Sequence, residues 1–209
     1  MRHIHPIQLI LVAVLVFVLW YMKRKPGQKG PAMAGLGRES RPAATRPAKV
    51  EQPPEEIYMN LRQEALQKNP HSLGLPGELK AEEPYGVLME MGIPSSVVTL
   101  ACFADGDAGI YYKTGGGMKG GVAHENVRKA AKEFISLSQK VLPRMIKTSA
   151  HPLPDVEKVR FYVLTLKGTF TTEAHRQALG GTQSDLSALF YSGQEVVAQM
   201  RQAQEQKAG

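Results

Sequence analysis

The sequence predicts an α+β domain whose five-stranded antiparallel sheet carries helices on both faces, behind an N-terminal transmembrane helix and a basic tether. Three observations predict this organisation. An apolar run near the N-terminus stops at a basic cluster. Two turn signals, Asp105-Gly106 and Lys167-Gly168, each separate two strand-like runs. Three further segments repeat apolar residues at helical spacing.

Residues 7–22 form the apolar run, and three basic residues follow it directly. A helix of this length rises roughly 24 Å, which spans a ~30 Å hydrocarbon core if its flanking side chains snorkel. Residues 1–22 are therefore predicted to be a single-pass anchor. Its diagnostic residues are apolar within the run, aromatic at its end and basic beyond it: Ile7, Leu11, Phe17, Trp20, Tyr21, Lys23, Arg24 and Lys25.

A cleaved signal peptide and a buried core helix are the alternatives for this run. A secretory signal places its positive charge before the apolar stretch, whereas here only Arg2 and the amino terminus precede it. Ala32-Met33-Ala34 resembles a cleavage site but lies about ten residues past the apolar run, further than such sites usually lie. The order of charges therefore favours an uncleaved anchor.

The net charge of +7 is concentrated at the N-terminus. Residues 1–50 hold nine Lys and Arg against one acid, Glu39, whereas residues 51–209 hold 17 basic and 18 acidic residues. The near-neutral domain gives little support for nucleic-acid binding, which needs a basic face. The basic flank predicts that residues 23–209 are cytoplasmic and that the tether contacts anionic lipid head groups.

Residues 23–54 are rich in Pro, Gly, Ala and basic residues and are predicted to form a disordered tether. A single domain is predicted over 55–209, beginning with an amphipathic helix over 55–68. The apolar stripe of this helix consists of Ile57, Tyr58, Leu61, Ala65 and Leu66.

Strands are predicted over 85–91, 96–104, 108–113, 159–166 and 169–174. A short helix is the alternative for 85–91. The run 96–104 is apolar on both faces, so this strand is expected at the centre of the sheet with cover on both sides. Helices are predicted over 123–142 and 185–203, the second with Ser184 as its N-cap.

This order of elements resembles that of profilin-like and roadblock-like α+β domains. The stretches Tyr85–Gly92, Ala104–Gly117 and Val159–Thr171 are also similar to bacterial membrane-anchored proteins of unassigned function. The resemblance to those domains implies an architecture, and neither resemblance implies an activity.

Glycines between a predicted strand and the helix over 123–142 offer the strongest chemical motif. Gly115, Gly117 and Gly120 match the spacing of a dinucleotide fingerprint, and Lys119 lies among them. However, the preceding strand belongs to an antiparallel hairpin, and Glu125 would repel an anion at the helix start. The favoured interpretation is structural, with a nucleotide, an anion or some other ligand as the alternative.

Other reactive residues are given structural interpretations. Asp105 and Asp107 fit a hairpin turn better than a cation site. His124 and Glu125 fit a helix start better than an acid–base pair. His3 is read as part of a short flank rather than a copper ligand, and Cys102 as a buried thiol rather than a nucleophile. Three further histidines are scattered and have no metal-site spacing: His71, His151 and His175.

These patterns predict a membrane-tethered, cytoplasm-facing interaction or regulatory module without catalytic activity, cofactor or metal. It is expected to bind a protein partner or to self-associate. The alternative is a nucleotide- or anion-binding regulator or enzyme that uses the Gly115–Gly121 loop.

Overall fold

The structure, a computed structural model, describes residues 52–75, 78–181 and 183–208. All of them belong to one unit of the chain, residues 49–209. The predicted anchor and all but the last residues of the predicted tether lie outside the described residues. Within these ranges, no helix is both long and apolar enough to cross a bilayer.

The described residues form an α+β domain, as the sequence predicts. The α-helices are α1 (Pro54–Leu66), α2 (Glu125–Val141), α3 (Arg176–Gly181) and α4 (Asp185–Ala208). The strands are β1 (Gly86–Ile93), β2 (Ser96–Phe103), β3 (Ala108–Tyr112), β4 (Gly117–Lys119), β5 (Ile146–Thr148), β6 (Lys158–Thr165) and β7 (Gly168–His175). Short 3-10 helices occupy Pro70–Leu73, Gly121–Ala123 and Leu142–Arg144.

The strands make one antiparallel sheet in the order β4-β3-β2-β1-β6-β7-β5. The predicted number of five strands is wrong, because β4 and β5 add a three-residue strand at each edge. Strands this short have no measurable alternation of polarity, so only their pairing with β3 and β7 defines them. Both predicted hairpins are confirmed, and β1 is a strand rather than a helix.

Helices α2 and α4 cover one face of the sheet, over the main hydrophobic core. Alternate residues of the central strands point into this core, among them Val87, Met89 and Leu100. Phe134 of α2 and Phe190 of α4 lie in the same core and are 0% and 1% exposed. This packing confirms the predicted apolar faces of both helices.

Helix α1 covers the opposite face, over a second core that contains Leu88, Phe103 and Leu164. The prediction that helices lie on both faces is therefore confirmed. The predicted stripe of α1 is wrong at one position, because Ile57 is 44% exposed while Arg62 is buried at 3%. The stripe is rotated because Arg62 has a charged partner within the sheet, described below.

The helix ends also differ from prediction. Helix α4 extends to Ala208, five residues beyond the predicted end, and the short helix α3 was not predicted. The hydroxyl of Ser184 accepts a 3.1 Å hydrogen bond from the Ser187 N–H, which confirms the predicted N-cap.

Candidate functional site

The glycine-rich segment forms edge strand β4 and the 3-10 helix that leads into α2. Gly115 and Gly120 have φ angles of +102° and +104°, which residues with side chains rarely adopt. At Gly117 a Cβ would lie 2.3 Å from the Ile110 carbonyl oxygen. The backbone therefore requires glycine at these three predicted site positions, whether or not a ligand binds.

A cleft of about 280 Å³ lies beside this segment. Its walls come from the glycine-rich segment, the start of α2 and the C-terminal half of α4: Gly117, Met118, Lys119, Gly120, Gly121, His124, Val127, Met200, Ala203 and Gln204. Helix α2 begins at Glu125, so the amide groups of its first turn lie near the cleft. Backbone amides at a helix start attract anions, but the acidic Glu125 lies in the same turn and opposes one.

Lys119 contributes to the cleft wall, but its ammonium group lies elsewhere. The Lys119 Nζ is 5.6 Å from the centroid of the Tyr111 ring, a cation–π contact. Tyr111 belongs to the core beneath α1, on the opposite face of the sheet from α2 and α4. The ammonium of Lys119 therefore lies with the α1 face, and no other Lys or Arg is among the cleft-lining residues.

The most densely connected polar group lies between α1 and the sheet, and we call it the Glu90 cluster: Tyr58, Arg62, Glu90 and Thr99. Arg62 Nε and Nη2 donate to the two carboxylate oxygens of Glu90 at 2.6 and 2.9 Å. The Thr99 hydroxyl donates to Glu90 at 3.3 Å, so Tyr58 is the donor in its 2.8 Å bond with Thr99. Two elements of the fold are thus joined by charge and hydrogen bonds.

A loop between β5 and β6 closes one side of the Glu90 cluster. Arg62 Nη2 donates to the His151 carbonyl oxygen at 2.9 Å, and the Tyr162 hydroxyl donates to the Pro152 carbonyl oxygen at 2.6 Å. The His151 ring makes an edge contact with Tyr162 at 5.4 Å. Its Nε2 atom is buried and has no hydrogen-bond partner within the part of the chain that the structure describes.

Burial shifts the acid–base behaviour of this cluster. It raises the pKa of Tyr58 to about 12, with the charge of Glu90 adding to the rise. Burial also raises the pKa of Glu90, and the hydrogen bonds from Arg62 oppose that rise. Burial lowers the pKa of Arg62, but Glu90 more than compensates, so the guanidinium stays charged. Burial, with a smaller contribution from Arg62, lowers the pKa of His151.

The Glu90 cluster is sealed from solvent, since Glu90 is 0% and Arg62 3% exposed. Its chemistry is that of a structural ion pair, because a substrate reaches the carboxylate only if α1 moves. The sequence does contain a signal for it, namely an acid inside the apolar strand 87–91 and a base next to the predicted stripe of α1. Sequence reasoning missed it because the pair is separated by 28 positions.

A polar row crosses the sheet beneath α1 and extends to the surface. Glu90 is directly opposite Thr99 on β2 and Arg160 on β6, and Arg160 is directly opposite Glu173 on β7. Arg160 Nε donates to Glu173 at 2.8 Å, and Lys158 adds a contact to Glu173 at 3.1 Å. The buried Glu90 carboxylate therefore belongs to a row of polar residues whose other end, at Glu173, is partly exposed to solvent.

The other predicted candidates have structural roles. Asp105 and Asp107 accept hydrogen bonds from backbone N–H groups of the β2–β3 turn at 2.9 and 3.0 Å. Cys102 is fully buried, and burial raises the pKa of its thiol. His124 is the residue before α2, and its side chain does not cap that helix. Across the described ranges, no group of three or more His, Cys, Asp or Glu could hold a metal ion.

Comparison with family models, curated proteins and solved structures found no match to this chain.

Proposed function

We propose that this chain is a membrane-tethered module that binds a protein partner or further copies of itself, without catalytic activity. The observation that carries the proposal is the sealed Arg62–Glu90 pair. This pair, buried on both sides, fixes α1, the first helix after the tether in the sequence, onto the sheet. Because this pair is buried, it holds the fold together and offers no charged group to a substrate, which supports a binding role over a catalytic one.

The apolar run 7–22 and the basic residues after it support the membrane part of the proposal. Arg at the centre of a transmembrane helix costs about 2.5–3.5 kcal/mol for insertion, so Val14→Arg is expected to shift the protein from the membrane pellet to the soluble fraction. The matched control is Val50→Arg, in the tether, which is expected to remain in the pellet. Equal fractionation of both variants would contradict the anchor.

The basic flank supports a cytoplasmic location for residues 23–209 and contact between the tether and anionic lipids. A reporter that works only in the cytoplasm is expected to be active when fused after Gly209. A reporter that works only after export is expected to be inactive at the same position. Digestion of the domain by protease added outside sealed cells would reverse the proposed orientation.

The binding role is tested by native mass spectrometry of the full chain released from detergent. The chain itself is 22.9 kDa, so a homomeric or heteromeric complex of fixed stoichiometry is expected at a higher mass. A monomer that carries a bound nucleotide would contradict the proposal and favour the alternative below.

A nucleotide- or anion-binding regulator is the second candidate function, and the cleft beside Gly117–Gly121 favours it. Stabilisation by a ligand at 100 times its Kd approaches ~2.7 kcal/mol, which thermal unfolding of the full chain with ATP, GTP or phosphate would detect. Loss of such a shift in Lys119→Ala, but not in the exposed control Lys129→Ala, would assign the site to Lys119. The position of the Lys119 ammonium argues against that result.

A further inference from the structure

The contacts of α1 with the sheet are unlike those of α2. The residues that α1 buries are Tyr58, Arg62, Ala65 and Leu66, two of which engage the Glu90 cluster through polar atoms. Helix α2 buries six apolar side chains and one hydroxyl: Val127, Ala130, Ala131, Phe134, Ile135, Val141 and Ser138. Since burial of apolar area is the main stabilising contribution to helix packing, α1 is the more weakly held of the two.

A buried ion pair holds α1 in one position without holding it tightly. The attraction between Arg62 and Glu90 is offset by the loss of water around both charges. When the helix leaves, both charges regain water, and Glu90 still lies directly opposite Arg160 on β6. Directly opposite residues on antiparallel strands have Cβ atoms about 4.5–5.5 Å apart, so Arg160 remains within reach of Glu90. Release of α1 therefore leaves neither charged group buried without a partner.

The two ends of α1 differ, since Glu55 and Glu56 in the first turn complement the helix dipole while the remaining end features do not stabilise the helix. Its N-cap is Pro53, which makes no side-chain capping bond, and its last turn contains no basic residue. An isolated helix shorter than about 12–15 residues is marginal in water, so α1 would unwind as soon as it left the sheet. Undocking and unwinding of α1 then form one cooperative local opening.

We infer that α1 is a releasable cover, which opens as a unit at a lower free energy than the rest of the domain. Opening uncovers the face of β1 and β2 that carries Glu90 and Thr99 beside the apolar side chains of Leu88 and Ala101. This inference goes beyond the proposed function, because the opening takes place within the domain and needs no partner.

Hydrogen exchange of the full chain in detergent, followed by mass spectrometry at increasing urea, measures the opening directly. Peptides from 55–66 are expected to show at least about tenfold lower protection than peptides from 125–141, a difference of ~1.4 kcal/mol. Their protection is also expected to depend less on urea, because a local opening exposes less surface. Equal protection and equal urea dependence in both helices would overturn the inference.

The pair Arg62→Leu/Glu90→Leu tests the cause of the release. Replacement of a buried ion pair by apolar residues is often neutral or stabilising, and release would now expose two leucines. Protection of α1 is expected to rise by at least about tenfold relative to α2. The matched control, Glu55→Gln/Lys113→Gln, removes the exposed 3.0 Å pair between α1 and the end of β3 and should not raise protection.

Lower or unchanged α1 protection in a folded Arg62→Leu/Glu90→Leu variant would overturn the assigned cause. If that variant does not fold, the wild-type comparison of 55–66 with 125–141 still decides whether α1 opens on its own. No partner is needed for either measurement, so failure of this inference is distinguishable from failure of the proposed binding function.

Discussion

The guanidinium of Arg62 binds the carboxylate of Glu90 through two hydrogen bonds of 2.6 and 2.9 Å, and both side chains are buried. This contact joins α1 to the middle of the sheet across the second core. It also closes the Glu90 cluster off from solvent. Because both side chains are buried, a substitution that removes only one of them is expected to affect the stability of the domain.

Arg62→Ala is expected to destabilise the domain by about 3–5 kcal/mol, because it leaves the Glu90 carboxylate buried without its charged partner. Urea denaturation measures this loss. The control is Arg144→Ala, which breaks the exposed 3.2 Å pair with Asp185 and should cost less than ~1 kcal/mol. Equal losses for the two variants would mean that water reaches Glu90 in the folded protein.

Stability is expected to fall as the pH drops through 6.5, because the folded-state pKa of His151 lies below this ordinary value. The unfolded chain then binds a proton that the folded state does not, which favours unfolding until the pH passes below the folded-state pKa. Urea midpoints of the wild type and His151→Gln, measured between pH 7.5 and 5, check this.

The His151→Gln variant should show a shallower fall over that range, while His71→Gln, at an exposed position, should follow the wild type. An identical slope in His151→Gln would show that other groups cause the acid destabilisation.

Cys102 is expected to be unreactive in the folded protein, because its side chain is fully buried and burial raises the pKa of its thiol. A colorimetric thiol reagent should modify Cys102 only after denaturant is added. A second cysteine at Ile146, which is 74% exposed, provides the positive control in an Ile146→Cys variant. Rapid modification of the wild-type chain under native conditions would show that the Cys102 side chain is accessible to solvent.

Gly121→Ala is expected to destabilise the domain by about 1–3 kcal/mol, the usual cost of overpacking. The added Cβ would lie 2.9 Å from Ala108 Cβ and 2.9 Å from Val127 Cγ1. Gly180→Ala is the control, since its Cβ would meet only the Tyr191 hydroxyl at 3.8 Å. Alanine in a helix should make that control neutral or more stable by up to ~1 kcal/mol. Thermal unfolding compares the two.

The sequence by itself determined the type and order of the longer elements. The continuous apolar run 96–104, the Asp105-Gly106 turn and the repeat from Val127 to Val141 are local patterns, and local backbone preferences follow them. The anchor and tether predicted for 1–54 lie almost wholly outside the described residues and stay predictions. The glycines at 115, 117 and 120 were also recognisable as positions that need unusual backbone freedom.

Tertiary structure alone decided the edge strands, the burial of Arg62 and the direction of Lys119. Strands β4 and β5 exist because β3 and β7 offer free edges, and three residues carry no periodic signal. Arg62 rather than Ile57 lies inside because Glu90, 28 positions away, meets it there. Local sequence patterns encode which residues share a face, whereas pairing between distant segments decides what covers that face.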